Sequence, residues 1–175
     1  HALKQLIEQS KKIFIMGHDN PDMDSFGSAL GITRLCVLCE KEPYLVIDEV
    51  NESLQEIFRQ AKESDNYQFI SSEKAVSLAD EESLLIVTDT HRPSPELLKI
   101  CERIVVVDHH RKMEECIENP VLAYMESYAS SASELVAEML QYMISKKSLN
   151  KLEAEALLAG MTIDTNGFSV KTGVR

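Results

Sequence analysis

Three short runs of consecutive apolar residues constrain the fold of this 175-residue chain more than any other feature. They cover 13–16, 84–88 and 104–107, and each is too short for a buried helix but rich in the aliphatic residues that strands prefer. A strand that is apolar at nearly every position is buried on both faces, as the strands of parallel sheets are. The runs therefore predict a parallel sheet covered by helices on both sides.

Between these runs, apolar residues recur with the period of a helix. Helices are predicted over 3–12, 25–40, 52–62, 96–101, 133–144 and 151–160, and weaker strands over 44–47 and 121–125. Ser25 or Asp24 is expected to cap the second of these helices. The alternation predicts an α/β fold with a mostly parallel sheet of about five strands, flanked by helices on both faces. Because ligands of such sheets bind beyond the carboxyl ends of the strands, a functional site is expected at that edge.

The charge of the chain limits its partners. A formal net charge of -11 argues against binding to long nucleic acid, because a protein that grips the phosphate backbone needs a basic face. The acidic balance is compatible with a site for divalent cations. No apolar run approaches the roughly 18 residues of a membrane span, so no membrane contact is expected from this chain.

The four cysteines are predicted to be reduced and structural. Cys36 and Cys39 form a C-x-x-C, a spacing that also occurs in redox and zinc sites. Here the pair lies within an apolar helical stretch, and the sequence has no second C-x-x-C to complete a zinc site. Reduced thiols indicate a cytosolic setting.

Aspartate and histidine side chains follow the three strong strands. After the first come His18, Asp22 and Asp24, after the second come Asp89, His91 and Arg92, and after the third come Asp108, His109, His110 and Arg111. A fourth segment begins with Asp164, after the last predicted helix. Polar side chains are therefore concentrated at one edge of the predicted sheet.

The residue types in these segments suit a pair of divalent ions. Carboxylates and imidazoles are ligands of ions such as Mn²⁺, and a pair needs a bridging carboxylate and enough negative charge to offset four positive charges. The carboxylates are Asp22, Asp24, Asp89 and Asp164, and the neutral nitrogens are those of His18 and His109. A tetrahedral zinc ion takes four ligands, so some of these carboxylates would not be needed to bind it. The set therefore favours a two-metal site.

Each segment also has a purely structural interpretation. The loop from His18 to Asp24 is rich in turn formers, and Asp89 could cap a helix. Asp164 alone carries almost no signal. Two adjacent imidazoles at a strand end, by contrast, have little use in packing. The conjunction of all four segments at one edge is what favours a functional site over coincidence.

The ordered motifs resemble those of the DHH phosphoesterase superfamily over essentially the whole chain. They are His18-x-x-x-Asp22-x-Asp24, Asp89, Asp108-His109-His110 and Asp164. Three further segments resemble the catalytic half of the membrane-anchored cyclic di-AMP phosphodiesterases. They are residues 88–94, Glu118-Asn119-Pro120 followed by Tyr128-Ala129-Ser130-Ser131, and Asp164-Thr165 followed by Lys171-Thr172-Gly173-Val174-Arg175. In that group, sensor domains precede the DHH domain.

This resemblance implies a set of metal ligands and a reaction. One Mn²⁺ is expected on His18, Asp22 and Asp89, and the other on Asp24, Asp89, His109 and Asp164, with Asp89 bridging. Asp108 is expected to orient a neighbouring imidazole, and His110 and Arg111 to face the phosphate. A water activated by the two ions would open cyclic di-AMP to a linear dinucleotide with a 5′-phosphate.

Contacts to the substrate are less well defined by the sequence. The candidates are His91, Arg92, Ser130 and Ser131. The helix that begins near 130–133 could offer backbone N–H groups to a phosphate. Its serines could equally do no more than cap the helix.

The resemblance also sets expectations for the longer protein. Residues 1–170 are expected to form the metal-binding DHH domain, and 171–175 to begin a linker to a C-terminal DHH-associated domain that this chain lacks. Because that domain carries most of the substrate recognition, the chain is expected to bind metal but to hydrolyse cyclic di-AMP poorly. The full-length protein is expected to be anchored to the cell membrane with this domain in the cytoplasm, and it is compatible with a homodimer.

Other functions remain open on the sequence. Within the superfamily they are pyrophosphatase, oligoribonuclease and exonuclease activities, and outside catalysis a degenerate domain that senses a nucleotide. The acidic charge disfavours long nucleic acids, and the segment 171–175 favours the cyclic dinucleotide. The presence of every expected ligand disfavours the degenerate domain.

Overall fold

Helices and strands alternate along the computed structural model, which describes residues 1–90, 95–111, 117–143 and 149–172. The helices are α1 (Ala2–Gln9), α2 (Met23–Leu38), α3 (Gln55–Glu63, preceded by a 3-10 turn at Glu52–Leu54), α4 (Ser72–Leu78), α5 (Pro95–Ile100), α6 (Ala132–Met143) and α7 (Lys151–Asp164). The strands are β1 (Ile13–Met16), β2 (Tyr44–Val46), β3 (Gln68–Ile70), β4 (Leu84–Thr88), β5 (Arg103–Asp108) and β6 (Leu122–Met125).

The strands form one parallel sheet in the order β3-β2-β1-β4-β5-β6. The predicted α/β class and parallel sheet are confirmed. The sheet has six strands, because β3, which like α4 was not predicted, adds an edge strand beside β2. This strand is only three residues long and begins with the exposed Gln68, so it lacks the continuous apolar character of the central strands.

Successive side chains of the central strands point to opposite faces of the sheet and belong to two separate apolar cores. On one face of the sheet, Ile13 and Ile15 of β1 belong to a core that also includes residues of α1, α2, α3, α6 and α7. On the other face, Phe14 and Met16 pack in a smaller core with residues of α4 and α5. Each central strand is therefore covered by helices on both sides, as its composition predicted.

Helices α2 and α7 lie unusually close to each other because glycines face the contact. A Cβ atom on Gly27 of α2 would lie 2.5 Å from the Ala156 carbonyl oxygen of α7. A Cβ atom on Gly160 of α7 would lie 2.9 Å from Asp24 Cα and 2.4 Å from Ser133 Oγ. Any larger residue would push α7 away from the start of α2, where the site lies.

A buried carboxylate fixes α7 along α2. Arg34 of α2 donates two hydrogen bonds to Glu153 of α7, from Nε to Oε2 and from Nη2 to Oε1, both at 2.9 Å. Tyr67 donates a third to Glu153 Oε1 at 3.0 Å, and the Asn150 N–H a fourth to Oε2 at 2.9 Å. Asn150 and Glu153 together form the capping box that begins α7. The carboxylate is fully paired, and it sets where the far end of α7 lies.

Two of the helix ends that differ from the sequence prediction carry site residues. The N-cap of α2 is Asp22, rather than Ser25 or Asp24, and its Oδ1 atom accepts hydrogen bonds at 3.0 Å from the N–H groups of both those residues. Helix α7 continues to Asp164 instead of ending at Gly160. Gly160 serves close packing here, and not helix termination.

Among the helices of the described ranges, none combines the length and the apolar character needed to span a bilayer. Cys36, Cys39 and Cys101 are free thiols, and Cys36 and Cys101 are buried among apolar side chains. Cys116 lies outside the described residues.

Candidate metal centre

The predicted site residues meet at the carboxyl edge of the sheet. His18 follows β1, Asp89 follows β4, and His109 follows β5. The strand order reverses between β1 and β4, and in doubly wound sheets ligands bind in the crevice that forms at such a reversal. The start of α2 and the end of α7 reach the same place.

Asp89 lies between two groups of potential metal ligands. Its Oδ2 atom is 3.6 Å from His18 Nε2, and its Oδ1 atom is 3.4 Å from His109 Nε2. Its backbone φ of 59° lies in the left-handed region, which few residues other than glycine adopt. The Asp89 N–H donates to the Val107 carbonyl oxygen at 2.9 Å, which holds this conformation against β5. Backbone strain held in place by a sheet is typical of functional positions.

His18, Asp22 and Asp89 form the first group. Each offers one ligand atom, and the three atoms lie within 4.8 Å of one another. The neighbouring Asp22 carboxylate raises the pKa of His18 by more than burial lowers it. Burial acts to raise the pKa of Asp22, but His18 and the Ser25 N–H outweigh it and the pKa is lowered. The first group therefore favours an ionised Asp22.

Asp24, His109 and Asp164 form the second group, also within 4.8 Å of one another. His109 Nε2 is 3.2 Å from Asp164 Oδ2 and 3.7 Å from Asp24 Oδ2. Burial and the nearby Asp24 carboxylate raise the pKa of Asp164. Two carboxylates converging on one imidazole nitrogen make a place where a cation is favoured.

The N-terminus of α6 holds Asp24 in position. The Ala132 N–H donates to Asp24 Oδ2 at 2.7 Å, and the Ser133 N–H donates to Oδ1 at 2.8 Å. The positive end of the helix dipole stabilises the carboxylate further. Two of the N–H groups that could have served a phosphate are thus bound to Asp24.

Ser130 and Ser131 make capping contacts at the start of α6. Ser131 Oγ accepts a hydrogen bond from the Glu134 N–H at 3.0 Å, and Ser130 Oγ donates to Glu134 Oε2 at 2.6 Å. The capping interpretation accounts for both hydroxyls. A contact of either serine with substrate stays a prediction.

Asp108 binds the imidazole of His110. Its Oδ1 atom is 2.7 Å from His110 Nδ1 and also accepts from the His110 N–H at 3.2 Å. This contact raises the pKa of His110. His110 and Arg111 are exposed, and both line an open cleft together with His109. Asp89, His109 and His110 also form a third group that could hold a metal ion.

Two buried polar atoms at the centre of the site have no hydrogen-bond partner in the described part of the chain. They are Asp89 Oδ1 and His109 Nε2, which lie 3.4 Å apart without hydrogen-bond geometry. Buried polar atoms without partners are rare because they are costly. Burial, followed by the Asp24 and Asp22 carboxylates, raises the pKa of Asp89 to about 9. A divalent cation would satisfy both atoms and offset the negative charge, so the donor set fits a metal ion.

The six predicted metal ligands share one crevice, and their binding of metal stays a prediction. His91 and Arg92 lie outside the described residues, and their contact with substrate stays a prediction too. Lys171 and Thr172, which were expected to begin a linker, line the cleft beside His109 and His110.

The chain matches a known protein family. Residues 12–161 match the model of the DHH family, N-terminal domain. The chain belongs to the DHH family. The matched range extends from just before β1 into α7 and contains every predicted ligand except Asp164.

Two curated relatives illustrate the range of activities among similar proteins. The chain is 46% identical, over its whole length, to the cyclic-di-AMP phosphodiesterase GdpP of Geobacillus thermodenitrificans, and it spans 28% of the length of that protein. It is 30% identical to a probable manganese-dependent inorganic pyrophosphatase of Streptococcus thermophilus, over 88% of this chain and 48% of that protein. Both relatives are considerably longer than this chain.

A solved structure shares the fold of this chain. The crystal structure of an exopolyphosphatase-related protein from Bacteroides fragilis superposes with a TM-score of 0.82. The alignment covers 99% of this chain and 52% of that chain at 23% sequence identity, so it supports the fold alone.

Sequence reasoning missed the residues that hold the site together. The Asn150-x-x-Glu153 spacing is a capping-box signature and could have marked the start of α7. Nothing local links Arg34 to Glu153, or Asp24 to the N–H of Ala132, because these contacts join distant parts of the chain.

Proposed function

We propose that this chain is the metal-binding catalytic domain of a phosphodiesterase that hydrolyses cyclic di-AMP to a linear, 5′-phosphorylated dinucleotide. The observation that carries the proposal is the position of Asp89, whose two oxygen atoms face separate groups of ligands. The name of the relative from Geobacillus thermodenitrificans supports cyclic di-AMP as the substrate. Because this chain spans 28% of that relative, the activity is proposed for the longer protein.

Two divalent ions, which we assign as Mn²⁺, are part of the proposal. One would be held by His18, Asp22 and Asp89, and the other by Asp24, Asp89, His109 and Asp164. Mixed carboxylate and imidazole ligands suit Mn²⁺, and the name of the pyrophosphatase relative supports manganese. When bound, such a pair stabilises charge on phosphoryl oxygens and lowers the pKa of water.

The reaction has a simple balance of atoms. A water oxygen forms a bond to phosphorus, and the bond from phosphorus to the 3′ oxygen of one ribose breaks. The phosphate remains on the 5′ oxygen of the other ribose, and the departing 3′ oxygen takes up a proton. We assign its donor to His110, because Asp108 binds the Nδ1 atom and raises the pKa of the ring. The Arg111 guanidinium would bind a phosphate oxygen.

The proposal includes the parts of the protein beyond this domain. A C-terminal DHH-associated domain would carry much of the substrate recognition, and the full-length protein would be anchored to the cell membrane with this domain in the cytoplasm. The 28% share of the relative that this chain spans supports the presence of further domains. A homodimer of the full-length protein is compatible with this arrangement.

Pyrophosphate hydrolysis is the second candidate function. The Streptococcus thermophilus relative, at 30% identity over 88% of this chain, is the observation that favours it. The site alone does not separate the two reactions, since both transfer a phosphoryl group to water at a carboxylate-rich metal centre.

Hydrolysis of three substrates tests the proposal. Cyclic di-AMP, cyclic di-GMP and pyrophosphate are compared with Mn²⁺ and with a chelator, using this chain and a form that continues past Arg175. We expect the longer form to hydrolyse cyclic di-AMP fastest, only with metal, and this chain to bind Mn²⁺ but to turn over slowly. Preference for pyrophosphate would replace the proposed function by the second candidate. Equal rates for the two forms would contradict the need for a further domain.

A further inference from the structure

Tyr128 is an exposed aromatic residue beside the metal centre. Its side chain is 86% exposed, although a tyrosine ring gains from burial. It lines an open cleft of about 480 Å³ that also includes His109, His110, Arg111 and Lys171. This volume lies within the range of pockets that bind small ligands, roughly 300–1,000 Å³.

The backbone that carries Tyr128 is well fixed. The Ala129 N–H donates to the Glu126 carbonyl oxygen at 3.0 Å, which closes a turn with Tyr128 at its third position. The Tyr128 N–H donates to Glu126 Oε1 at 3.3 Å. The Glu126 N–H donates to the Asp108 carbonyl oxygen at 3.1 Å, and so joins the turn to the end of β5. An aromatic ring on a fixed turn loses little entropy when a ligand packs on it.

The charges around the cleft suit a phosphorylated ligand. Arg111 and Lys171 contribute two cationic side chains to it, in a protein with a net charge of -11. A flat aromatic surface beside cationic groups matches the two halves of a nucleotide, its base and its phosphate.

We propose that Tyr128 is a specificity-determining residue whose ring stacks on a base of the substrate, with Arg111 and Lys171 on the phosphate side of the same cleft. This inference rests on the proposed function, and it names the part of the substrate that this domain recognises. Tyr128 is a positioning residue and takes no part in bond breaking. Its contribution falls on the binding of the base and not on the chemical step.

Binding of AMP and of ribose 5-phosphate to the Mn²⁺-loaded protein tests the inference, because the two ligands share the sugar phosphate and ribose 5-phosphate has a hydroxyl where AMP has the base. Calorimetric titration is carried out on the wild type, Tyr128→Leu, Tyr128→Phe and Tyr142→Leu. Tyr142 is the matched control, since it is a tyrosine with 90% exposure that lies outside the cleft. Mn²⁺ affinity, measured on each variant, shows that the metal centre is intact.

We expect Tyr128→Leu to weaken AMP binding by roughly 5-fold or more, the lower end of base–aromatic stacking, without changing the affinity for ribose 5-phosphate. Tyr128→Phe keeps the ring and should bind AMP as the wild type does, and Tyr142→Leu should have no effect. The inference is overturned if the wild type binds AMP no more tightly than ribose 5-phosphate. It is also overturned if Tyr128→Leu leaves AMP binding unchanged, as it would if the ring served only to contact another protein domain.

Turnover separates this inference from the proposed function. In the longer, active form, Tyr128→Leu should raise the KM for cyclic di-AMP and leave kcat within about twofold, the pattern of lost substrate binding. Normal KM in the variant would sink the role of Tyr128 while the proposed function stands. If the wild type binds AMP through its base but does not hydrolyse cyclic di-AMP, the role of Tyr128 stands and the proposed function is contradicted.

Discussion

Glu153 and Asp89 are both almost fully buried, with exposed fractions of 1% and 2%, yet their surroundings are opposite. Glu153 accepts four hydrogen bonds, from Arg34, Tyr67 and the Asn150 N–H, and its charge is balanced by the Arg34 guanidinium. Asp89 Oδ1 has no hydrogen-bond partner among the described residues, and further carboxylates surround it. Arg34 is the counter-ion of Glu153, whereas no described lysine or arginine forms an ion pair with Asp89.

This comparison distinguishes Glu153, a carboxylate that stabilises the fold, from Asp89, a carboxylate suited to binding a cation. A buried carboxylate with its own arginine is complete without any other molecule. A buried carboxyl group with a pKa raised to about 9 is protonated at neutral pH, whereas a free carboxyl group is ionised. A bound cation would stabilise its ionised form. Substitutions at the two places should therefore differ in kind, the one affecting folding and the other affecting metal binding and catalysis.

The largest expected effect is on catalysis, from a substitution in the second ligand group. Asp24→Asn keeps an oxygen to accept a hydrogen bond from the start of α6 but removes the charge. In the longer, active form we expect hydrolysis to fall by roughly 10³-fold, since metal ions contribute several kcal/mol to such reactions. The measurement is kcat/KM with Mn²⁺. Asp65→Asn, an exposed aspartate remote from the site, is the control, and an equal loss there would show that the effect is unspecific.

The next largest effect is on stability. Glu153→Ala leaves the Arg34 guanidinium partly buried without its partner, and we expect a loss of about 3–5 kcal/mol in the free energy of unfolding. Urea denaturation measures it, with and without Mn²⁺. The double variant Arg34→Met with Glu153→Leu should recover much of the loss, because it removes both charges. Full stability of Glu153→Ala would break the contrast with Asp89.

The protonation of Asp89 should appear in the pH dependence of metal binding. Its pKa is about 9 in the folded chain, whereas the ordinary value is 3.8. Between these two pH values the metal-free folded state holds a proton that the unfolded state has released. The stability that this proton contributes is fully present below about pH 4 and is lost as the pH rises through about 9. Mn²⁺ must displace the proton, and affinity should therefore rise with pH up to about 9.

Calorimetry checks this in two buffers that differ in ionisation enthalpy. At about pH 7 we expect binding of Mn²⁺ to release about one proton from Asp89. Binding without any release of protons would show that Asp89 is already ionised in the metal-free protein.

The smallest expected effect comes from the packing of α7. The Cβ atom of Gly160→Ala would lie 2.9 Å from Asp24 Cα, so α7 must shift and carry Asp164 with it. We expect a loss of about 1–3 kcal/mol in stability and a fall of about tenfold in Mn²⁺ affinity. Leu158→Ala, an exposed position on the same helix, should leave Mn²⁺ affinity unchanged. Unchanged affinity in Gly160→Ala would show that α7 does not position the site.

The sequence was sufficient for the elements whose signals are local. The continuous apolar strands β1, β4 and β5 predicted the sheet, and polar residues after them predicted which edge carries the site. β3 was not predicted, because an exposed edge strand of three residues has no continuous apolar run. Asp164 was expected after a helix that ends at Gly160, whereas α7 continues to Asp164 and Gly160 permits its close contact with α2.

What the sequence could not provide is the set of contacts between distant residues. Asp24 and the Ala132 N–H are 108 positions apart, and Arg34 and Glu153 are 119 positions apart. Such pairs depend on the packing of α2 against α6 and α7. The family resemblance supplied the ligand assignment, but the reason why these side chains are held in place comes from the fold.

The central claim is that Asp89 joins two metal positions, and metal content measures it directly. The wild type and Asp89→Ala are loaded with Mn²⁺, freed of excess metal and analysed for manganese per chain. We predict two ions in the wild type and the loss of both in the variant, because one Asp89 oxygen lies 3.6 Å from His18 Nε2 in the first group and the other lies 3.4 Å from His109 Nε2 in the second. Retention of two ions by Asp89→Ala would contradict it.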